Sequence, residues 1–202
     1  MNPMKARTKG RLDSLPDELS ALRRLGLQYL DRCCAIDTDD SVQLGHMPWV
    51  APLAYAITLF PPAKRAWVNR FKGKIPRAYQ RLLAETNGLF AFGLSLYGLA
   101  PSMHARPPRL NRSRLECHDL SLANSDWIKQ YDLEGDLFHF GGREYSETEN
   151  LGYFMTGTDM ICALRRNGEV VEEWETLSDF LADELAAAKQ VMEAETPGEW
   201  WQ

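Results

Sequence analysis

The chain has little cysteine, four residues in 202, and no Cys-x-x-Cys pair. Cys33 and Cys34 are adjacent, whereas Cys117 and Cys162 stand alone. This spacing suits neither a zinc knuckle nor a disulfide framework. The thiols read as reduced and buried, as in a cytoplasmic protein. Long apolar runs are also missing. No stretch of about 18 apolar residues occurs, so no helical membrane span is expected. Lys5, Arg7, Lys9 and Arg11 are followed by no apolar stretch, so the start does not read as a secretory signal. His46, His104 and His139 are scattered singly and spell out no metal set. Internal repeats and low-complexity blocks are absent.

Two short motifs invite chemistry and fail it. Cys117-His118-Asp119 contains a nucleophile and a base, but neighbours on an extended chain point opposite ways. No Gly-rich elbow surrounds Cys117 either. Asp37-Thr38-Asp39-Asp40-Ser41 starts like a calcium loop but lacks the glycine and the closing glutamate. The expectation is therefore a protein with no catalytic residue, no metal and no cofactor.

What is present is an ordinary globular composition, 45% hydrophobic and 25% charged. The length suits one domain with an elaboration. The net charge of −5 hides a split. Residues 1–115 carry 18 Lys/Arg against 8 Asp/Glu, a net of +10. Residues 116–202 carry 5 against 20, a net of −15. Between Asp40 and Glu85 there is no acid, yet Lys64, Arg65, Arg70, Lys72, Lys74, Arg77 and Arg81 fall there. Trp67, Phe71 and Tyr79 lie among these cations, as in single-strand binders. Helical spacing turns those aromatics inward, however, and a pI near 5.4 argues against nucleic acid. The split is expected to leave an acidic face that attracts a basic partner.

Along the chain, residues 1–11 are basic and expected to be mobile. Ser14 caps a helix over residues 15–34, with a kink near Gly26. Residues 46–60 are buried material of either type. A helix runs from Pro61-Pro62 through Trp67 and Phe71 to Gly73. A second starts at Pro76, where a missing N–H costs nothing. It carries Tyr79, Leu82 and Leu83 on one face and stops at Asn87-Gly88. A strand-like run, residues 89–98, follows. Residues 101–115 read as a long basic loop, and residues 121–131 as a short helix. Strands are expected at 137–140, stopping at Gly141-Gly142, then at 151–155 and 160–164. Asn167-Gly168 turns the last of these into 169–174, both residues filling positive-φ positions. Ser178-Asp179 caps a final helix with Phe180, Leu181 and Leu185 inward. Helices, then strands, then one helix indicate an α+β fold with a mixed, largely antiparallel sheet flanked by helices.

The order of these landmarks resembles the SUKH superfamily. The residues that carry the resemblance begin with Ile75-Pro76, Tyr79, Asn87-Gly88 and Leu96-Tyr97-Gly98. Further on come Phe138-His139-Phe140-Gly141, Asn150-Leu151-Gly152-Tyr153-Phe154, Asn167-Gly168 and Leu177-Ser178-Asp179-Phe180-Leu181. The resemblance runs from about Pro61 to about Ala188 and places a SUKH-like domain at residues 61–192, with 1–60 as an N-terminal helical extension and 193–202 as a tail. It implies a scaffold in which Pro76, Tyr79, Asn87, Gly88, Tyr97, Gly98, Asn167, Gly168 and Phe180 are structural. It implies an immunity protein that binds and occludes a secreted bacterial toxin, a nuclease being one basic example. The alternative is a regulatory or scaffold protein that binds a host protein with the same fold. Partner contact is expected at Glu144, Glu147 and Glu149 in a loop and at Glu172 and Glu173 on a strand.

Overall fold

The computed structural model describes residues 3–31, 34–36, 40–46, 55–71, 74–104, 116–131, 133, 136–144 and 150–192. Among these residues nine strands form one sheet in the order of the chain: β1 (Cys34–Ile36), β2 (Val42–His46), β3 (Tyr55–Leu59), β4 (Leu89–Ala91), β5 (Leu94–Leu96), β6 (Phe138–Glu144), β7 (Asn150–Met155), β8 (Ile161–Leu164) and β9 (Val170–Trp174). Every neighbouring pair is antiparallel. The helices are α1 (Pro3–Asp13), α2 (Ser20–Tyr29), α3 (Arg65–Val68), α4 (Arg77–Glu85), α5 (Pro101–His104), α6 (Leu120–Ser125) and α7 (Leu177–Met192). The α+β expectation is met.

Burial explains the arrangement. In α4, Tyr79, Leu82 and Leu83 are buried, as their spacing predicts. In α7, Phe180, Leu181, Leu185 and Ala188 are buried. They join Leu12, Leu22, Leu44, Ile57, Leu96, Phe140 and Tyr153 in one continuous core. Phe140, Tyr153 and Trp174 meet Phe180 edge-on, with ring centroids 4.9–5.5 Å apart. This is the favoured aromatic geometry. The opposite face carries Phe154, Cys162 and Leu164, packed under Ile128, Tyr131, Leu133 and Leu137.

Several expectations are corrected. The helical extension over residues 1–60 is helical only to Tyr29. Beyond that come β1, β2 and β3, and β3 pairs directly with β4, so the same sheet runs on past residue 60. The basic start is the helix α1, because Thr8 and Leu12 are buried and cations hold its other sides. Lys5 pairs with Asp31, Arg7 with Asp40 at 2.6 Å, and Arg11 donates to the carbonyls of Asp40 and Phe60. Gly26 lies inside α2; a Cβ there would sit 2.7 Å from Leu12, so this glycine lets α1 and α2 approach. The helix expected from Pro61 is only α3.

The run at 89–98 is two strands, not one. Phe92 and Gly93 have φ of 49° and 87° and form the tight turn between β4 and β5. Helix α4 ends at Thr86, which has extended backbone. Only Gly88 adopts positive φ (83°). Asn87 instead uses its side-chain amide: Oδ1 accepts from Leu99 N–H at 2.7 Å and Nδ2 donates to the Leu99 carbonyl at 2.9 Å. A Cβ on Gly98 would run into the Asn87 carbonyl. The Tyr79 hydroxyl reaches the carbonyls of Tyr97 (2.5 Å) and Phe140 (3.1 Å), tying α4 to the sheet.

Strand β6 does not stop at Gly141-Gly142. It passes through them with a bulge between His139 and Gly141. Gly142 opposes Gly152, and the Tyr97 and Tyr131 rings occupy the space their side chains would fill. At the last hairpin only Gly168 has positive φ (82°); Gly168 N–H donates to the Arg165 carbonyl at 3.0 Å, and the Asn167 side chain accepts from Glu169 N–H at 3.1 Å. The pairing of β8 with β9 is as expected. Thr176, rather than Ser178, caps α7. Its hydroxyl accepts from Asp179 N–H at 3.1 Å and donates to the Asp179 carboxylate at 2.6 Å.

Candidate partner-binding site

The Asn167-Gly168 turn leads into β9, the last strand of the sheet among the described residues. Its outer edge faces no strand among the described residues. Val170, Val171, Glu172 and Glu173 are all exposed, and only Trp174 turns inward. Val170 and Val171 are 51% and 44% exposed, and nearby Met160 is 41% exposed. These are three of the five large apolar side chains that stand out to solvent among the described residues.

Acids surround them. From Arg166 to Lys189 the sequence has no cation but seven carboxylates, at 169, 172, 173, 175, 179, 183 and 184. Four are engaged. Glu169 pairs with Arg165 at 2.9 Å, Asp179 closes the cap of α7, Asp183 accepts from the Trp174 indole N–H at 3.1 Å, and Glu184 is buried. Glu172, Glu173 and Glu175 are exposed and pair with no cation among the described residues. Glu172 opposes Ala163 on the face of α7; Glu173 opposes Cys162 on the other face. The edge is negative on both sides of the sheet.

Glu184 anchors the wall behind this edge. Its carboxylate pairs with Arg143 at 2.5 Å and accepts from the Tyr153 hydroxyl at 2.5 Å. Arg143 also donates to the Glu184 carbonyl at 2.6 Å. Burial pushes the Glu184 carboxyl up; Arg143 and Tyr153 pull it back, and Glu172 and Asp183 add to the rise. The outcome is a raised value. The acidic field of the edge thus reaches a buried ion pair.

The expected contact residues divide. Glu172 and Glu173 lie side by side on the exposed strand. Glu144 ends β6, and its side chain lies outside the described residues, as do Glu147 and Glu149. The structure adds Val170, Val171 and Glu175 to the same strip. The sequence carried a signal for them, since Val-Val-Glu-Glu does not alternate as a half-buried strand should.

The other chemical motif dissolves. Cys117 is buried, and burial with the nearby charges of Asp119 and Glu116 pushes its thiol up to about 12. Such a thiol is inert at neutral pH. Asp119 caps α6, accepting from the N–H groups of Ser121 and Leu122, and its other oxygen accepts from Ala100 N–H and lies 2.8 Å from His104 Nε2. Burial opposes its ionisation, but the bonds from His104 and Ala100 outweigh that and hold the carboxyl below its usual range. His118 lies instead among Phe90, Tyr97 and Trp127. Among the described residues, no group of three or more His, Cys, Asp and Glu is placed to hold a metal. None of their helices is long and apolar enough to cross a membrane. Comparison with protein-family models, curated proteins and solved structures gives no match to this chain.

Proposed function

We propose that this chain is an immunity protein of the SUKH type that binds a basic toxin and blocks its active site in the cytoplasm of the producing cell. The observation that carries the reading is the strip from Glu169 to Glu175, in which only Trp174 turns inward. It is exposed and acidic, lies on a sheet edge, and three of its glutamates have no counter-cation among the described residues. Opposite potentials speed encounter, and charge-assisted hydrogen bonds hold the complex once formed. The resemblance of the stretch from about Pro61 to about Ala188 to SUKH domains supports a binding role in place of catalysis.

The test begins with affinity capture from the native cell and identification of the bound chain. The captured protein is expected to be basic and toxic, and to lose its activity on titration with this chain. Reversal of Glu172, Glu173 and Glu175 to Lys is then expected to slow association by about tenfold or more at low salt. The effect shrinks at high salt, where screening removes the long-range part. A bound chain that is acidic, or that keeps its activity in the complex, would sink the proposal.

A further inference from the structure

We propose that the β9 edge binds its partner by strand addition, taking an extended basic segment as a tenth strand of the sheet. The proposal rests on the reading of this chain as a binder of a basic protein and adds the mode of contact.

Backbone geometry comes first. Arg165 N–H donates to the Glu169 carbonyl at 3.0 Å, which fixes the phase of the β8–β9 ladder. In an antiparallel pair, bonded and non-bonded positions alternate. Leu164 opposite Val170 is therefore a non-bonded pair, and beyond the register shift so is Cys162 opposite Glu173. The N–H and C=O groups of Val170 and Glu173 point away from the sheet. They are the donors and acceptors a new strand would take.

Side chains then select the strand. A sheet edge is commonly guarded by charge. A guard of one sign repels acidic strands and a second copy of β9, but attracts a basic one. Two-fold pairing of β9 with itself sets Glu172 and Glu173 against their own copies or against each other's neighbours, where like charges destabilise. A basic strand meets Glu173 on one face of the sheet and Glu172 on the other. The exposed methyls of Val170 and Val171 give it apolar cover.

The experiment uses the full chain and a blocked octapeptide of Lys, Thr and Val as the probe. Its control is the same sequence N-methylated along one edge, which keeps charge and composition but removes that edge's donors. Binding is read by titration, and amide hydrogen exchange is read residue by residue. The unmodified peptide is expected to bind about tenfold more tightly than the N-methylated one, as the loss of two net backbone hydrogen bonds implies. Protection is expected to rise at Val170 and Glu173 and to stay unchanged at Trp174, whose amide already faces β8. Glu172→Gln with Glu173→Gln is expected to weaken binding and flatten its salt dependence. Equal binding of both peptides, or no new protection at Val170 and Glu173, overturns strand addition. That failure is separable from failure of the proposed function, because capture and inhibition of a basic toxin can succeed without it.

Discussion

His139 allows a sharp test of the packing on the outer face of the sheet. Its ring stacks on Phe154 with centroids 4.5 Å apart and planes 19° apart, between the edges of Tyr97 and Tyr131. Nε2–H donates to the Gly141 carbonyl at 3.0 Å. Burial lowers its pKa from 6.5 to about 4, the carbonyls of Ala123 and Gly141 only partly opposing. The folded state thus holds a neutral imidazole where the unfolded chain binds a proton. The stability this contributes is present above pH 6.5 and is lost as the pH falls toward 4. Linkage puts the loss at about 2 kcal/mol between pH 7 and pH 5, and at about 3 kcal/mol over the whole window. The perturbation is His139→Gln, which keeps a donor for Gly141 and cannot titrate. Urea denaturation of parent and variant at pH 7 and pH 5 cancels the other groups to first order. The variant is expected to be less stable at pH 7, and its deficit to shrink by about 2 kcal/mol at pH 5. A deficit that is the same at both pH values refutes the reasoning, as does an NMR titration of His139 with a midpoint near 6.5.

Three further outcomes follow from the core. Leu181 is fully buried, so Leu181→Ala should cost about 2–5 kcal/mol in denaturant, and an unchanged midpoint contradicts its placement. Glu184→Leu leaves Arg143 buried without its carboxylate and should cost about 3–5 kcal/mol, whereas Arg143→Leu with Glu184→Leu should recover most of that loss. A double variant no better than the single one argues against a mainly electrostatic cost. Gly88→Ala places a Cβ 2.5 Å from the Leu96 carbonyl at a φ of 83°, and should lower the melting temperature more than Gly10→Ala, where nothing lies within 4 Å.

The elements that could be read from sequence were those set by periodicity and turn chemistry. The three-and-four spacing in α4 and α7 and the glycine at 168 place their segments directly. The misread parts depend on contacts distant in sequence. Nothing local says that Lys5 and Arg11 meet Asp31 and Phe60, so α1 looked loose. Gly141-Gly142 looked like a stop because glycines usually punctuate strands. Here they continue β6 because Tyr97 lies over one of them, a fact only the fold supplies. Glu172 and Glu173 were legible as candidate contacts from charge alone. Val170 and Val171 join those candidates only once β9 is known to be an edge among the described strands.

The order of the strands has a consequence for how the chain is made. Each strand pairs with the one just before it, so pairing can proceed as the polypeptide leaves the ribosome. Most loops to be closed are short, which favours speed. Helix α7 is different. It is the last described element, yet it packs on α2 near the start, and Lys189 bonds Gln28 at 3.0 Å. Until α7 arrives, Phe140, Tyr153 and Trp174 lack the Phe180 that covers them. The nascent sheet is therefore sticky until α7 has emerged and docked, and cleavage before residue 177 should leave a species that aggregates.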